Sequence, residues 1–182
     1  QMAMQLCVFN GAYPVICADN VESKLKLAKK NGANFTINSK DEDLIEQIRV
    51  ITENKGVPVV IECTGFSQPI NSALQIAKRF GRVIILGSTR SDTQVNFYRD
   101  VHKKGLTIIG AHITSNPDIE SYPGYWTYKD NACCFLNLIY AEKLNVDSLI
   151  SEERSYRDYK DIYTRVLNWD KNYITTVINW ES

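Results

Sequence analysis

The first 87 residues alternate between two kinds of segment: short apolar runs, and longer stretches whose apolar residues recur at helical spacing. The apolar runs occupy residues 14–18, 35–37, 57–63 and 82–86. Residues 20–30, 39–51 and 67–77, between them, have helical spacing. This alternation predicts βαβ units, in which helices cover both faces of a parallel sheet. The expected fold class is therefore α/β, a doubly wound parallel sheet of the Rossmann-like kind.

Capping signals set the expected starts of these helices. Asn20 is the expected N-cap of the helix at residues 20–30, and Ser67 is the expected N-cap of the helix at residues 67–77. Ser39 and Glu42 form an S-x-x-E capping box ahead of the second helix. Gly81 is expected to separate the third helix from the strand that follows. We also expect residues 57–63, which are apolar and β-branched, to form a fully buried strand.

The chain opens on a helix, where a doubly wound fold opens on a strand. Residues 1–10 place Met4, Cys7 and Val8 on one helical face. The fingerprint G-x-G-x-x-G, which joins the first strand to the first helix, is absent because the nine glycines nowhere form G-x-G. We therefore expect a sheet that lacks its first strand and its glycine loop. Its unpaired strand edges would favour association with another copy.

The second half of the chain gives weaker periodic signals. They predict a helical turn at residues 97–104, strands at 106–113 and 173–178, and helices at 127–142 and around 159–167. The inward face expected for the first of these helices consists of Ala132, Phe135, Leu136, Ile139 and Tyr140. We divide the chain into a partial doubly wound domain, residues 1–114, and a C-terminal segment of helices and a final strand, residues 115–182.

Composition excludes several classes of protein. The chain has 182 residues, with 21 Lys and Arg against 21 Asp and Glu, and the zero net charge argues against nucleic-acid and membrane partners. Apolar runs are too short to span a bilayer, so we expect a cytoplasmic globular protein. Five irregularly spaced cysteines are expected to be buried thiols.

Candidate ligand-binding residues stand where predicted strands end. Asp19 follows the first strand, where a carboxylate accepts hydrogen bonds from the adenosine ribose and repels the 2′-phosphate of NADP. The alternative is that Asp19 merely helps to cap the next helix. Thr64 and Gly65 follow the third strand, and Gly87 and Ser88 follow the fourth. Glycine lets a ligand approach the backbone, although a glycine that simply ends a strand is the alternative.

Histidine, cysteine and aromatic residues give no clear catalytic pattern. His112, near the end of the 106–113 strand, faces either a ligand pocket or a structural environment, and a lone histidine on a strand is more often structural. No C-x-x-C pair occurs and His102 lies ten positions from His112, so no metal ligands are predicted. Packing of Tyr125, Trp126 and Tyr128 onto the core at a helix entrance is favoured over a substrate platform.

Residues 2–87 resemble the cofactor-binding half of medium-chain, zinc-dependent alcohol and polyol dehydrogenases, in particular the sorbitol and threonine dehydrogenase group. The resemblance rests on the order of four segments: VICAD at 15–19, KLKLAKKNGA at 24–33, VIECTG at 60–65 and GRVIILG at 81–87. Residues 106–112, PGYWT at 123–127 and the final helix and strand also resemble that group, so the likeness covers nearly the whole chain.

The resemblance implies a function. Family members move a hydride between a secondary alcohol or polyol and NAD(P), with zinc polarising the alcohol oxygen. Asp19 matches the ribose-binding position, and the turns at Thr64-Gly65 and Gly87-Ser88, with Ala111-His112, match backbone that lines the cofactor groove. The resemblance further implies that residues 1–114 are a partial dinucleotide-binding domain and that residues 115–182 partly belong to the catalytic domain. The assembly implied is a homodimer or homotetramer. The cofactors implied for the parent protein are NAD and zinc.

The zinc-ligand half of such enzymes is not in this chain, so no catalytic or metal-binding residue is predicted here. We expect the chain to be a fragment of a dehydrogenase that is inactive alone and binds NAD weakly or not at all. The alternatives are a zinc-free quinone-oxidoreductase-like reductase, a non-catalytic nucleotide-binding or oligomerisation module, and a methyltransferase-like fold. Asp19 argues against the reductase, because such reductases favour NADPH.

Overall fold

A computed structural model describes residues 1–168, 170 and 173–181. The helices are α1 (Met2–Phe9), α2 (Glu22–Lys30), α3 (Leu44–Ile51), α4 (Ser67–Ile76), α5 (Tyr128–Tyr140) and α6 (Tyr159–Leu167). The strands are β1 (Ile16–Asp19), β2 (Phe35–Asn38), β3 (Val57–Glu62), β4 (Ala77–Ile85), β5 (Thr107–Gly110), β6 (Ile150–Ser155) and β7 (Thr175–Asn179). The chain forms two compact units. The terminal unit combines Gln1–Asp41 with Phe135–Ser182, and the central unit is Glu42–Cys134.

The terminal unit contains two parallel strand pairs. In the first, β1 and β2 pair in the register that places Ile16 opposite Phe35 and Asp19 opposite Asn38. Apolar side chains of α1, α2 and the segments before β1 and β2 pack into one cluster. Its buried members are Met4, Val15, Ala28 and Ala33. The second pair, β6 and β7, is also parallel. The sequence pattern did not predict β6, because its residues ISEERS lack an apolar run or strict alternation.

The central unit contains a three-stranded parallel sheet in the order β3-β4-β5. Helix α4 packs on it through residues three and four apart, because the partly buried Ile70 and the buried Ala73 and Leu74 lie on one face. These residues pack with Ala77 and Val83 of β4. The strands point the same way, so their carboxyl ends lie at one edge of this sheet. Parallel strands joined by helices confirm the predicted α/β class. The domain boundary predicted at residue 114 stays a prediction.

The predicted caps are wrong. Helix α3 begins after Asp43, whose Oδ1 accepts hydrogen bonds from the N–H groups of Ile45 at 2.9 Å and Glu46 at 3.2 Å. An aspartate directly before the helix reaches these groups, whereas Ser39 lies in the turn that follows β2. Asn20 precedes the capping position of α2, which Val21 occupies, and Ser67 is the first residue of α4 rather than its cap.

Several strand bounds also differ from the prediction. Strand β4 begins at Ala77, so Gly81 lies inside it, where a register irregularity accommodates the extra residues. Strand β5 ends at Gly110, so His112 lies outside it. Strand β3 is not fully buried, and Val59 is 36% exposed. Among the described strands β3 pairs only with β4, which leaves its other edge uncovered.

The inward face expected for helix α5 is only partly buried. Ala132, Phe135 and Ile139 are half-buried, whereas Leu136 is 63% exposed and Tyr140 is 91% exposed. The cysteine prediction is also wrong in part. Cys63 and Cys133 are exposed, while Cys7, Cys17 and Cys134 are half-buried, and none of the five forms a disulfide. Within the described ranges, no helix combines the length and apolar character needed to cross a membrane.

Candidate functional site

Two turns follow the carboxyl ends of β3 and β4 in the central unit, and we call them the paired turns: residues 63–66 and residues 87–89. The carbonyl oxygen of Glu62, the last residue of β3, accepts hydrogen bonds from the N–H groups of Leu86 and Gly87, each at 2.9 Å. These bonds continue the β3–β4 ladder into the turns. They place Thr64-Gly65 beside Gly87-Ser88, so the structure brings these four predicted residues together.

Contact between the paired turns requires glycine at two positions. Gly65 has a φ of +75°, a left-handed conformation that L side chains rarely adopt. At Gly87 the requirement is steric, because a Cβ atom would lie 2.4 Å from the backbone nitrogen of Gly65 and 2.9 Å from the carbonyl carbon of Cys63. The two backbones thus approach more closely than side chains permit. An exposed backbone surface at the ends of parallel strands suits a ligand that lies flat across them.

The side chain of Glu62 lies beneath the paired turns and is 3% exposed. Its Oε1 accepts the backbone N–H of Thr64 at 2.7 Å and also a short hydrogen bond from the Thr64 hydroxyl. Thr64 Oγ1 in turn accepts the N–H of Phe66 at 3.2 Å. Sequence analysis did not single out Glu62, although a charged residue that closes the apolar run VPVVIE is the signal that could have found it.

Ala111 and His112 follow β5. The N–H of Ala111 donates to the carbonyl of Ile85 at 3.0 Å, which places Ala111 beside the end of β4. His112 is exposed and begins a 3₁₀ turn, where its Nδ1 accepts the N–H of Thr114 at 3.2 Å and lies 2.9 Å from the Thr114 hydroxyl oxygen. The ring is therefore turned toward its own loop. This arrangement supports the structural interpretation of His112 over a catalytic one.

Asp19 lies in the terminal unit as the last residue of β1. Its Oδ1 accepts the N–H of Val21 at 3.0 Å, at the N-terminal end of α2. The bond spans two residues and forms an Asx turn that leads into α2, whose N-cap position is Val21. It does not cap the helix, because α2 has no side-chain hydrogen bond at its cap. The half-buried side chain is held at the strand end, where a ribose contact would require it.

A capping network at the start of α5 orders the aromatic segment. Thr127 is 7% exposed, its hydroxyl donates to Asp130 Oδ2 at 2.9 Å, and its backbone N–H donates to the Ser121 hydroxyl at 2.8 Å. The Ser121 hydroxyl makes a further short bond to Asp130. These hydrogen bonds, that from Ser121 first and that from Thr127 second, hold the pKa of Asp130 below its ordinary value. The T-x-x-D spacing is the sequence signal for this cap.

The aromatic rings themselves are not packed onto a core. Tyr125, Trp126 and Tyr128 are 57%, 47% and 64% exposed, so the packing expected for them is wrong among the described residues. Tyr122 and Tyr125 contact each other, with ring centroids 5.2 Å apart. The loop is closed on itself by a bridge between these two tyrosines and by the cap, so it does not need a core beneath it.

A shallow concavity of about 510 Å³ lies at the opposite, amino-terminal end of the central sheet. Cationic side chains surround it, and two of them are already engaged. Arg99 forms two hydrogen bonds of 2.7 Å with Asp100, and Lys104 donates to the carbonyls of Leu74 and Gln75 at 2.7 and 2.9 Å. Burial lowers the pKa of Lys104, despite the nearby charge of Asp100. None of the predicted site residues lines this concavity.

The described residues contain no group of three or more His, Cys, Asp or Glu side chains that could hold a metal ion. Zinc therefore does not fit any site described in this chain. The paired turns of the central unit offer close-packed glycine backbone, which is compatible with part of a dinucleotide. Asp19, in the terminal unit, offers a carboxylate at a strand end.

Parallel strands with glycine turns at their carboxyl ends define the class of α/β nucleotide-binding folds. The chain belongs to the zinc-binding dehydrogenase family, whose pattern matches residues 1–127. This membership confirms the resemblance drawn from the sequence. It also sets aside the methyltransferase-like alternative.

Three similar proteins illustrate the match. L-threonine 3-dehydrogenase of Pyrococcus furiosus is 30% identical over 155 residues, which is 85% of this chain and 41% of that protein. Erythritol/L-threitol dehydrogenase of Mycolicibacterium smegmatis is 35% identical over 99 residues, 54% of this chain and 27% of that protein. An Escherichia coli oxidoreductase/dehydrogenase of unknown specificity superposes with a TM-score of 0.82 at 22% identity, covering 97% of this chain and 46% of that structure. The chain spans less than half the length of each.

Proposed function

We propose that this chain forms the dinucleotide-binding part of an oxidoreductase that transfers a hydride between NAD and a small secondary alcohol or polyol. The observation that carries the proposal is the pair of glycine turns at the carboxyl ends of β3 and β4, in a chain that belongs to the zinc-binding dehydrogenase family. The substrate class is supported by the relatives' names, since threonine, erythritol and threitol are all hydroxyl-bearing small molecules.

The roles of this chain's residues are to bind and orient the cofactor. Asp19 accepts hydrogen bonds from the ribose hydroxyls and disfavours a 2′-phosphate by like-charge repulsion. Thr64-Gly65, Gly87-Ser88 and Ala111-His112 present backbone and small side chains to the dinucleotide. Gly87 lets the two turns approach, because a Cβ at this position would collide with the backbone of the other turn, and Gly65 allows the left-handed conformation of its turn.

A nicotinamide held by these residues would supply a hydride acceptor for the alcohol carbon, and the hydroxyl proton would pass to water as the carbonyl forms. Zinc would serve as a Lewis acid on the alcohol oxygen, with ligands outside the residues described here. A cytoplasmic location, a homodimeric or homotetrameric assembly and the lack of nucleic-acid or membrane partners belong to the same proposal. A zinc-free reductase that prefers NADPH is the alternative that cofactor preference tests.

The test uses the full-length gene product that carries this chain. Calorimetry follows its titration with NAD⁺, NADH, NADP⁺ and NADPH. Loaded protein is then assayed with erythritol, L-threitol and L-threonine for formation of reduced nicotinamide. We expect tighter binding of NAD(H) than of NADP(H), and turnover of at least one hydroxyl substrate. Preference for NADPH without zinc dependence would favour the reductase, and absence of dinucleotide binding would contradict the proposal.

A further inference from the structure

Glu62 bonds to both of the paired turns, through two different parts of the same residue. Its backbone carbonyl accepts the N–H groups of Leu86 and Gly87 and so fixes the second turn. Its carboxylate accepts the N–H and hydroxyl of Thr64 and so fixes the first turn. Through Thr64 Oγ1 the effect reaches Phe66, which is the N-cap position of α4.

Only one of the two oxygens of the Glu62 carboxylate accepts hydrogen bonds from the described residues. Both bonds from Thr64 go to Oε1, whereas Oε2 is buried and has no hydrogen-bond partner among the residues the structure describes. The hydroxyl of Thr89, in the second turn, is also buried without a partner. Buried polar groups without partners are few in native proteins, and those that persist call for an explanation. Functional sites are where proteins tolerate such groups.

A purely structural role does not explain the charge. The strand ladder uses the backbone carbonyl of residue 62, which any amino acid would supply. A neutral glutamine at this position would also offer an amide oxygen to Thr64 without burying a charge. The carboxylate makes the hydrogen bonds from Thr64 stronger, because hydrogen bonds to an ionised acceptor are roughly twice as strong as neutral ones. These stronger bonds hold the turn at Thr64-Gly65, at the carboxyl end of the sheet.

We propose that Glu62 is a positioning residue for dinucleotide binding, an inference that rests on the proposed function. Its carboxylate draws the N–H and hydroxyl of Thr64 inward, and the turn consequently presents the backbone of Gly65 outward and in register with Gly87. The dinucleotide meets a turn already held in its bound shape. Without the carboxylate, the turn becomes ordered only when the dinucleotide binds. Part of the binding free energy then offsets this ordering, and the affinity falls.

The test compares Glu62→Gln and Thr64→Val in the full-length protein with the exposed control Glu53→Gln. Glu53 also belongs to the central unit, where it pairs with Lys55 at the surface at 2.6 Å. For each variant, calorimetry gives the dissociation constant for NADH, steady-state kinetics give the KM values for dinucleotide and alcohol and kcat, and thermal unfolding gives Tm. Thr64→Ser retains the hydroxyl and is the rescue variant for Thr64→Val.

We expect E62Q to weaken NADH binding about tenfold, which is the loss anticipated when two charge-assisted bonds become neutral. The KM for dinucleotide should rise in parallel, while kcat and the KM for alcohol change little and Tm stays equal or rises. T64V should weaken NADH binding by a smaller factor, and T64S should recover most of that loss. E53Q should behave as wild type.

Two outcomes overturn the inference. One is unchanged NADH binding in E62Q when wild type binds NADH, which would leave the proposed function intact. The other is a fall in Tm of E62Q with all kinetic constants reduced together, which would show a structural role. Failure of the wild-type protein to bind any dinucleotide would contradict the proposed function, and this inference with it.

Discussion

Glu62 and Gly87 are in contact at the carboxyl end of the central sheet, and the contact leaves no room for a side chain at position 87. The backbone N–H of Gly87 donates to the Glu62 carbonyl at 2.9 Å, and a Cβ atom on Gly87 would lie 3.0 Å from Glu62 Oε2. The same Cβ would be 2.4 Å from the Gly65 nitrogen. The ends of two strands that are adjacent in the sheet are thus packed backbone against backbone.

The first prediction concerns Gly87→Ala. The added methyl group collides with backbone atoms, which cannot rotate away as a flexible side chain can. We expect the free energy of unfolding to fall by about 1–3 kcal/mol, the range typical of overpacking, and dinucleotide binding to weaken because the paired turns separate. Urea unfolding and NADH titration of the full-length protein measure the two effects.

Gly110→Ala is the matched control for this prediction. A Cβ at Gly110, the last residue of β5, would have no heavy atom within 4 Å of it. Its stability should therefore stay close to that of wild type. Equal stability of the two alanine variants would contradict the steric account of Gly87.

The sequence predicted the kinds of segment better than their ends. Strands β1 to β4 and the helices between them follow from apolar spacing, because burial imposes the period of each element on the sequence. The cap of α3 did not follow, since Ser39, Glu42 and Asp43 all have side chains suited to capping and chain geometry decides among them. Strand β6 was missed because pairing with β7, not its own composition, makes it a strand.

The candidate site shows the same limit. Thr64, Gly65, Gly87 and Ser88 are suggested by where the strands end. The Glu62 carboxylate bonds to Thr64, only two positions later, but its burial beside Gly87, 25 positions later, follows from the β3–β4 register, which is not visible in the sequence. The structure gives no support for His112 as a reactive group, because its ring bonds to Thr114.

A second prediction separates two roles of Asp19, the turn that leads into α2 and cofactor selection. Asp19→Asn retains an oxygen for the Val21 N–H but removes the charge, whereas Asp19→Ala removes both. We expect Asp19→Asn to narrow the preference for NADH over NADPH about tenfold, because the like-charge repulsion of a 2′-phosphate is lost. Asp19→Ala should do the same and also lower the free energy of unfolding by about 1 kcal/mol, because the hydrogen bond to the Val21 N–H is lost.

Titrations with NADH and NADPH, together with urea unfolding, measure both quantities for each variant. An unchanged cofactor preference in Asp19→Asn would exclude Asp19 from the cofactor site and leave it only the hydrogen bond to Val21 in the turn before α2.

A third prediction concerns Gln5, which joins two distant parts of the chain within the terminal unit. Gln5 is 6% exposed, its Oε1 accepts the backbone N–H of Asn145 at 2.7 Å, and its Nε2 donates to the Asn145 carbonyl at 3.1 Å. Gln5→Leu leaves both backbone groups without these partners. The expected loss is about 2–4 kcal/mol, because each unsatisfied polar group costs roughly 1–3 kcal/mol.

Gln68→Leu, on the exposed side of α4, is the control for this loss, since its amide makes one long contact of 3.4 Å with Ser72. Urea unfolding of the two variants gives the difference. Equal free energies of unfolding for the two variants would show that water satisfies the backbone groups of Asn145 as well as Gln5 does.

The last prediction concerns acid sensitivity at the start of α5. The hydrogen bonds from Ser121 and then Thr127 lower the pKa of Asp130 below its ordinary value of 3.8. A carboxyl whose folded-state pKa is depressed contributes stability that is fully present above the unfolded-state pKa. That contribution is lost as the pH falls from 3.8 through the folded-state pKa. We therefore expect Asp130→Asn to be less stable than wild type at neutral pH, and the difference to shrink in acid below pH 3.8. Urea unfolding across this pH range measures the difference in the free energy of unfolding.

Asp118→Asn, in the same loop, is the control for the loss of one surface charge. If the difference between Asp130→Asn and wild type stays constant through the acid range, the charge of the Asp130 carboxylate adds nothing to the cap.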